Sequence, residues 1–115
     1  VYGFDLDDWA IENSQENFRL NHSQRCKVEK GSIATVFPPH DYYNIVMANI
    51  NKNVLLDEMH QYASFLPSGG ALFLSGFFDQ DSTQIIEKAG TFNLALVEKK
   101  TEEDWCVIRF EKLYY

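Results

Sequence analysis

The sequence predicts an α/β fold with a mostly parallel sheet, and three observations support this. The run Asn44–Ile50 is short, apolar and rich in β-branched residues, which is typical of a strand buried on both faces. A helical pattern, Val54–Phe65, follows it, and this alternation of strand and helix recurs along the chain. The segments Phe92–Glu98 and Trp105–Phe110 have no helix between them, so we expect an antiparallel hairpin at the C-terminal edge.

The first third of the chain predicts a strand, a helix and a second strand. The strand Val1–Asp5 begins at the first residue, which suggests a piece of a longer protein. Asp7 is a suitable N-cap for a helix over Asp8–Leu20, and a short strand, Cys26–Glu29, follows. One face of the helix is defined by residues at helical spacing: Ile11, Ser14 or Gln15, and Phe18.

The helix after the central strand has a clear cap and a clear core face. Asn53 is a reasonable N-cap for the helix Val54–Phe65. The apolar residues that recur at helical spacing, and that we therefore expect to face the core, are Leu55, Met59, Tyr62 and Leu66. The turn Pro67–Gly70 ends this helix and leads into another buried strand, Ala71–Gly76.

A third helix should follow that strand. Either Asp79 or Asp81 is placed to cap it, and it should run through Ala89 with Gly90 closing it. The complete order is β-α-β, β-α, β-α and then a β-hairpin, which indicates the α/β class.

Composition limits the possible functions. A length of 115 residues predicts one domain. The chain has 10 Lys and Arg against 17 Asp and Glu, and this net charge of −7 argues against nucleic acid as a direct partner. Cys26 and Cys106 lie far apart without a Cys/His cluster, so we expect no metal site and reduced thiols in a cytoplasmic protein. No apolar run approaches the length of a membrane span.

Polar residues at strand ends and the turns between them carry a family resemblance. An acid ends the first strand, an asparagine ends the central one, and a Pro-x-Gly-Gly turn precedes the next, which resembles the Rossmann-like class I S-adenosylmethionine-dependent methyltransferase fold. In more detail, the chain resembles the ribosomal protein L11 methyltransferase family. The segments that carry this resemblance are Gly3–Asp7 with Asn17 and Asn21, Val46–Ile50, Pro67–Gly70, Leu74–Gly76 and Glu103–Cys106.

The resemblance implies a cofactor, a substrate class and two site residues. The cofactor would be S-adenosylmethionine, with the Asp5 carboxylate on its ribose hydroxyls. Asn49 would contact the cofactor and also act in catalysis, because its amide can accept a hydrogen bond from the substrate amine. The substrate would be amino groups of an L11-like ribosomal protein. A purely structural role remains possible for Asn49, which could only shape a turn; for Asp5 a capping role is weaker because Asp7 fills it.

The chain departs from the family pattern by a missing segment and at two single positions. The family's glycine-rich cofactor loop is absent, so we expect residues 1–115 to be a partial methyltransferase domain, the C-terminal part, that is inactive alone. Asp8 stands where the family usually has proline, and Asn44 where it often has aspartate. The family's first strand would lie between Val1–Asp5 and Asn44–Ile50. Without it, we expect these two strands either to pair directly in parallel or to leave exposed sheet edges that a second copy completes as a homo-oligomer.

Two other functions remain open from the sequence. The same strands could form a non-catalytic α/β interaction module. They could also form another Rossmann-like nucleotide-binding domain. The chain starts at the second strand of such a fold, and the acid on that strand would serve NAD equally well.

Overall fold

A computed structural model of the protein describes residues 1–113, and the chain divides into two compact units. The first unit is Val1–His40, and the second begins at Asp41. The order of strands and helices is the predicted one. No helix among the described residues is both long enough and apolar enough to cross a membrane.

The first unit is a β-α-β segment. Strand β1 (Tyr2–Asp5) pairs in parallel with β2 (Lys27–Lys30), and helix α1 (Asp8–Leu20) connects them. The predicted cap is confirmed, because the carboxylate of Asp7 accepts a hydrogen bond from the backbone N–H of Trp9 at 3.0 Å. The predicted inner face of α1 is half-buried at Ile11, Ser14 and Phe18.

The second unit is a four-stranded mixed sheet with two helices. Its elements are β3 (Ile45–Asn49), α2 (Lys52–Ser64), β4 (Ala71–Phe78), a 3-10 turn (Asp79–Asp81), α3 (Ser82–Gly90), β5 (Leu94–Glu102) and β6 (Trp105–Lys112). The sheet order is β3-β4-β6-β5. Strands β3 and β4 are parallel, whereas β6 is antiparallel to both of its neighbours. The predicted C-terminal antiparallel hairpin is therefore confirmed.

The core of the second unit lies between α2, α3 and one face of the sheet. Alternate residues of the paired strands point to this face, because successive side chains of a strand face opposite sides. The predicted core residues of helix α2 and its end are all buried. The buried apolar residues of the second unit are Ala48, Leu55, Met59, Tyr62, Ala63, Leu66, Leu72, Leu74, Phe77, Ile85, Ala89, Leu94, Cys106, Ile108 and Phe110.

One predicted helix cap is wrong, and another is confirmed in position only. Helix α2 begins at Lys52 rather than Val54, because the side chain of Asn51, and not that of Asn53, accepts the backbone N–H of Val54 at 3.1 Å. Asp81, one of the two predicted caps, does occupy the N-cap position of the third helix, but its side chain makes no capping hydrogen bond. The chain enters a 3-10 turn at Asp79 instead, and the Asp81 carboxylate forms an ion pair with Lys52 at 3.5 Å.

The prediction that the strand Asn44–Ile50 is buried on both faces is wrong. The helices of the second unit cover one face of its sheet, so Ala48 is buried whereas Ile45 and Met47 on the other face are 60% and 77% exposed. The hairpin is also longer than predicted. Strand β5 continues to Glu102, so a two-residue turn replaces the predicted loop. Strand β6 begins at Trp105, as predicted, and continues to Lys112.

Direct pairing of the first and central strands is not formed. Among the described residues, the hydrogen-bonded strands make two sheets, one of β1 and β2 and one of the other four strands. Parallel pairing of the strand Val1–Asp5 with the strand Asn44–Ile50 is therefore a wrong prediction. Each strand pairs in parallel with a different partner: β1 with the strand that follows α1, and β3 with the strand that follows α2.

Candidate functional site

Asp5 ends β1 in the first unit, and its backbone and side chain are both held. Its carbonyl accepts the N–H of Gly31 at 2.9 Å, which continues the pairing with β2. Its Oδ1 atom accepts the N–H of Asp7 at 2.9 Å, and the residue is exposed. A carboxylate offers about four lone-pair positions on two oxygens, so this single hydrogen bond leaves acceptor capacity for a diol.

An exposed ion pair lies next to Asp5. The carboxylate of Asp8 pairs with the ammonium of Lys30 at 3.0 Å. Lys30 is the partner of Asp5 in the β1–β2 pairing. Both charged groups are exposed, so the pair contributes about 0–1 kcal/mol. On β2, hydrogen bonds from Lys27 and then Tyr2 lower the pKa of Glu29.

Asn49 ends β3 in the second unit and is exposed at the carboxyl end of the sheet. It lies opposite Ser75 in the parallel pairing, and the N–H of Ile50 donates to the carbonyl of Ser75 at 3.2 Å. Helix α2 begins only three residues later, at Lys52. The side chain is therefore accessible to a ligand while its backbone is fixed by the sheet on one side and a capped helix on the other.

Gly76 lies directly against Asn49. A Cβ atom built on Gly76 would stand 2.6 Å from Oδ1 of Asn49 and 2.8 Å from the backbone nitrogen of Ile50. Gly76 has a φ of +89°, which L side chains rarely adopt. It also lies where the β4–β6 pairing shifts register, between Leu74 and Phe77. In the sequence, Leu74–Gly76 stands out only as part of the family resemblance, and no local pattern predicts this contact.

A shallow groove of about 450 Å³ lies beyond the carboxyl end of β4, and no pattern in the sequence predicts it. It is lined by Phe78, Asp79, Gln80 and Asp104. The ring of Phe78 stacks on Trp105 with centroids 4.5 Å apart, and Lys99 pairs with Asp79 at 3.0 Å. Nearby, burial raises the pKa of the Cys106 thiol, and the Asp79 carboxylate adds to that effect.

The two predicted site residues belong to different units, Asp5 to the first and Asn49 to the second. Each lies where its strand ends, as the sequence predicts. No cluster of three or more His, Cys, Asp or Glu side chains among residues 1–113 could hold a metal ion.

Comparison with known proteins relates the whole described chain to one family. The sequence model of the family described as ribosomal protein L11 methyltransferase (PrmA) matches residues 1–113. The ribosomal protein L11 methyltransferases of Porphyromonas gingivalis and Phocaeicola vulgatus are 38% and 34% identical over 110 residues. Each alignment covers 96% of this chain but only 38% and 39%, respectively, of the relative. The chain therefore spans less than two fifths of the length of these relatives.

A solved structure confirms the fold. The crystal structure of a ribosomal protein L11 methylase from Lactobacillus delbrueckii subsp. bulgaricus superposes with a TM-score of 0.88 at 23% identity. The superposition covers 99% of this chain and 58% of that one. The predicted Rossmann-like methyltransferase fold is thus confirmed. Because the family's sequence model extends over residues 1–113, the chain belongs to the ribosomal protein L11 methyltransferase family.

Proposed function

We propose that the protein to which residues 1–115 belong transfers methyl groups from S-adenosylmethionine to amino groups of a ribosomal protein similar to L11. The single observation that carries this is the family match over residues 1–113. In this proposal the chain contributes part of one methyltransferase domain. Asp5 binds the cofactor, and Asn49 both contacts the cofactor and acts in catalysis.

The geometry of Asp5 suits a ribose diol. The hydrogen bond from the N–H of Asp7 to Oδ1 fixes the orientation of the carboxylate at the end of β1. An exposed carboxylate held in this way can accept hydrogen bonds from two adjacent hydroxyl groups. In this proposal β1 is the second strand of the complete Rossmann-like fold. A carboxylate at the end of that strand is well placed for this contact.

The geometry of Asn49 suits alignment of an attacking amine. S-adenosylmethionine supplies a sulfonium methyl group for in-line displacement. The Asn49 amide, exposed on a rigid backbone, can accept a hydrogen bond from the amine and so orient its lone pair. Holding reacting groups in attack geometry can supply about 7–11 kcal/mol, so the reaction depends on positioning more than on an acid or a base.

The setting of the reaction is part of the proposal. A net charge of −7 suits a basic protein substrate better than a direct nucleic-acid partner. We place the protein in the cytoplasm, without a membrane partner. For residues 1–115 alone, the free edge of β3 is where a second copy of the chain could pair.

A transfer assay on the full-length protein tests the proposed function. The protein is incubated with methyl-labelled S-adenosylmethionine and a purified L11-type ribosomal protein, and label in the ribosomal protein is measured. The control is the same substrate with its amino groups acetylated. We expect label in the unmodified substrate alone. Cofactor binding without label in any amino group contradicts the proposed substrate. Binding of NAD in place of S-adenosylmethionine favours the nucleotide-binding alternative.

A further inference from the structure

Strand β4 contains a bulge at the point where it passes Asn49. Its pairing with β6 runs regularly up to Leu74 opposite Ile108 and resumes at Phe77 opposite Cys106. Ser75 and Gly76 therefore lie between the two registers, unpaired with β6. A bulge bends its strand and redirects the residues around it. Gly76 lies within this bulge and next to the residues that follow β3.

The space above Gly76 is filled by the turn that follows β3. Added to Gly76, a Cβ would lie 2.6 Å from Oδ1 of Asn49, 2.8 Å from the nitrogen of Ile50 and 2.9 Å from its carbonyl oxygen. Real Cβ atoms essentially never approach other atoms this closely. Two of these atoms belong to backbone, which cannot swing away as a long side chain can. Any residue other than glycine would therefore displace the Asn49 amide, the Ile50 peptide, or both.

We propose that Gly76 is a positioning residue for Asn49. This inference rests on the proposed function, in which the Asn49 amide aligns the methyl acceptor. The missing side chain of Gly76 provides the volume in which Oδ1 of Asn49 sits, and the bulge in β4 holds that volume at a fixed place. The amide is thereby kept at the carboxyl end of the sheet without any hydrogen bond from Gly76 to it.

Gly69 provides a matched control for backbone strain. Its φ of +83° is close to the +89° of Gly76, but a Cβ on Gly69 would meet nothing within 4 Å. It lies in the turn before β4, at the opposite end of that strand. Alanine at either position is strained by the positive φ. Only alanine at position 76 also collides with Asn49 and Ile50.

The experiment compares four variants of the full-length protein: Gly76→Ala, Gly69→Ala, Asn49→Ala and the double variant Asn49→Ala/Gly76→Ala. Thermal stability is measured together with kcat and KM for methyl transfer. We expect Gly69→Ala to lower the melting temperature and leave kcat nearly unchanged. We expect Gly76→Ala to lower kcat by about tenfold or more, since displacement of an aligning group by about 1 Å can cost as much as about 10²-fold. The double variant should be no slower than Asn49→Ala alone, because the two changes remove the same alignment.

Two outcomes would overturn the inference. One is a kcat for Gly76→Ala as high as that of Gly69→Ala. The other is a double variant whose loss is the product of the two single losses, which would mean that Gly76 acts independently of Asn49. If Gly76→Ala fails to fold, the double variant decides: restored folding supports the contact with Asn49, and continued failure assigns the collision to the Ile50 peptide instead.

A readout without substrate separates this inference from the proposed function. The side-chain amide signals of Asn49 in a ¹⁵N-labelled protein are identified by their loss in Asn49→Ala. We expect them to shift in Gly76→Ala and to stay in place in Gly69→Ala. Unshifted signals in Gly76→Ala overturn the contact, whatever the activity. A wild-type protein that transfers no methyl group overturns the proposed function, and these signals then decide the contact alone.

Discussion

The Oδ1 atom of Asp5 accepts a hydrogen bond from the backbone N–H of Asp7 at 2.9 Å. The carboxylate of Asp7 in turn accepts the N–H of Trp9 at 3.0 Å and caps α1. The side chains of Asp5 and Asp7 thus both accept backbone hydrogen bonds where the chain passes from β1 into the helix. The roles differ, however, because Asp7 satisfies a helix N–H whereas Asp5 orients its own carboxylate at the end of the strand.

Asp5 is expected to affect cofactor binding more than folding. In the full-length protein, Asp5→Asn keeps an oxygen for the N–H of Asp7 but loses the charge. We expect it to weaken S-adenosylmethionine binding by about 1–3 kcal/mol, the cost of losing charge-assisted hydrogen bonds. Calorimetric titration measures the change. Asp7→Ala is the matched control, and it should lower stability by about 0.5–2 kcal/mol with normal cofactor affinity. Unchanged affinity in Asp5→Asn would remove Asp5 from the site.

The buried thiol of Cys106 predicts a loss of stability in alkali. Burial raises its pKa in the folded state, so above the ordinary value of 9.0 the unfolded chain releases a proton that the folded chain retains. The free energy of unfolding should therefore fall as pH rises above 9.0. Denaturant unfolding between pH 9.0 and the ordinary tyrosine pKa of 10.0 measures this slope. Cys106→Ala should flatten it, whereas Ile108→Val, a neighbouring core truncation, should keep it. If the free energy of unfolding falls with pH equally in both variants, the effect does not come from the Cys106 thiol.

The hairpin turn between β5 and β6 carries strain at Glu103. Its φ is +56°, a left-handed conformation that costs an L-residue about 1–2 kcal/mol. Glycine adopts it freely but loses more backbone entropy on folding, by about 0.5–1 kcal/mol. We therefore expect Glu103→Gly to raise the free energy of unfolding by about 0.5–1 kcal/mol. Asp104→Gly is the control and should lower it. A decrease of similar size in both variants would show that the strain is absent.

Residues 1–115 alone are expected to bind S-adenosylmethionine weakly or not at all. The glycine-rich loop of the family supplies backbone N–H groups and close backbone approach, and this sequence contains no Gly-x-Gly segment. Calorimetry on this chain, compared with the full-length protein under the same conditions, measures the difference. Micromolar affinity of residues 1–115 alone would mean that the loop contributes little.

Patterns in the sequence predicted most helices and strands, because spacing and capping involve residues that are close together in the chain. The stripe Leu55, Met59 and Tyr62 is set by the helical repeat, and all three residues are buried. The cap of α1 was also predicted, since Asp7 is directly followed by the helix. The cap of α2 was not, because Asn51 and Asn53 are chemically equivalent, and only the position where the chain leaves β3 selects Asn51.

The features that depend on three-dimensional packing escaped prediction. An apolar run such as Ile45–Asn49 cannot reveal which of its faces a helix covers, so the exposure of Met47 was missed. The bulge at Ser75 and Gly76 depends on how β6 aligns with β4, two segments far apart in the sequence. The groove beside Phe78 has the same origin, because the pairing of β4 with β6 places Phe78 opposite Trp105 and so brings the two rings together.

The central claim is that the Asn49 amide aligns the reaction. The most direct measurement is kcat for methyl transfer by the full-length Asn49→Ala variant at saturating cofactor and substrate, together with its melting temperature. Because Asn49 is exposed and the cap of α2 belongs to Asn51, folding should be unaffected. We predict a kcat lower by about 10²-fold with a nearly unchanged melting temperature, and Asn53→Ala, an exposed neighbour, as a control that changes neither. A large loss of stability with normal activity in the folded fraction would contradict the account and leave Asn49 as a residue that only shapes the turn.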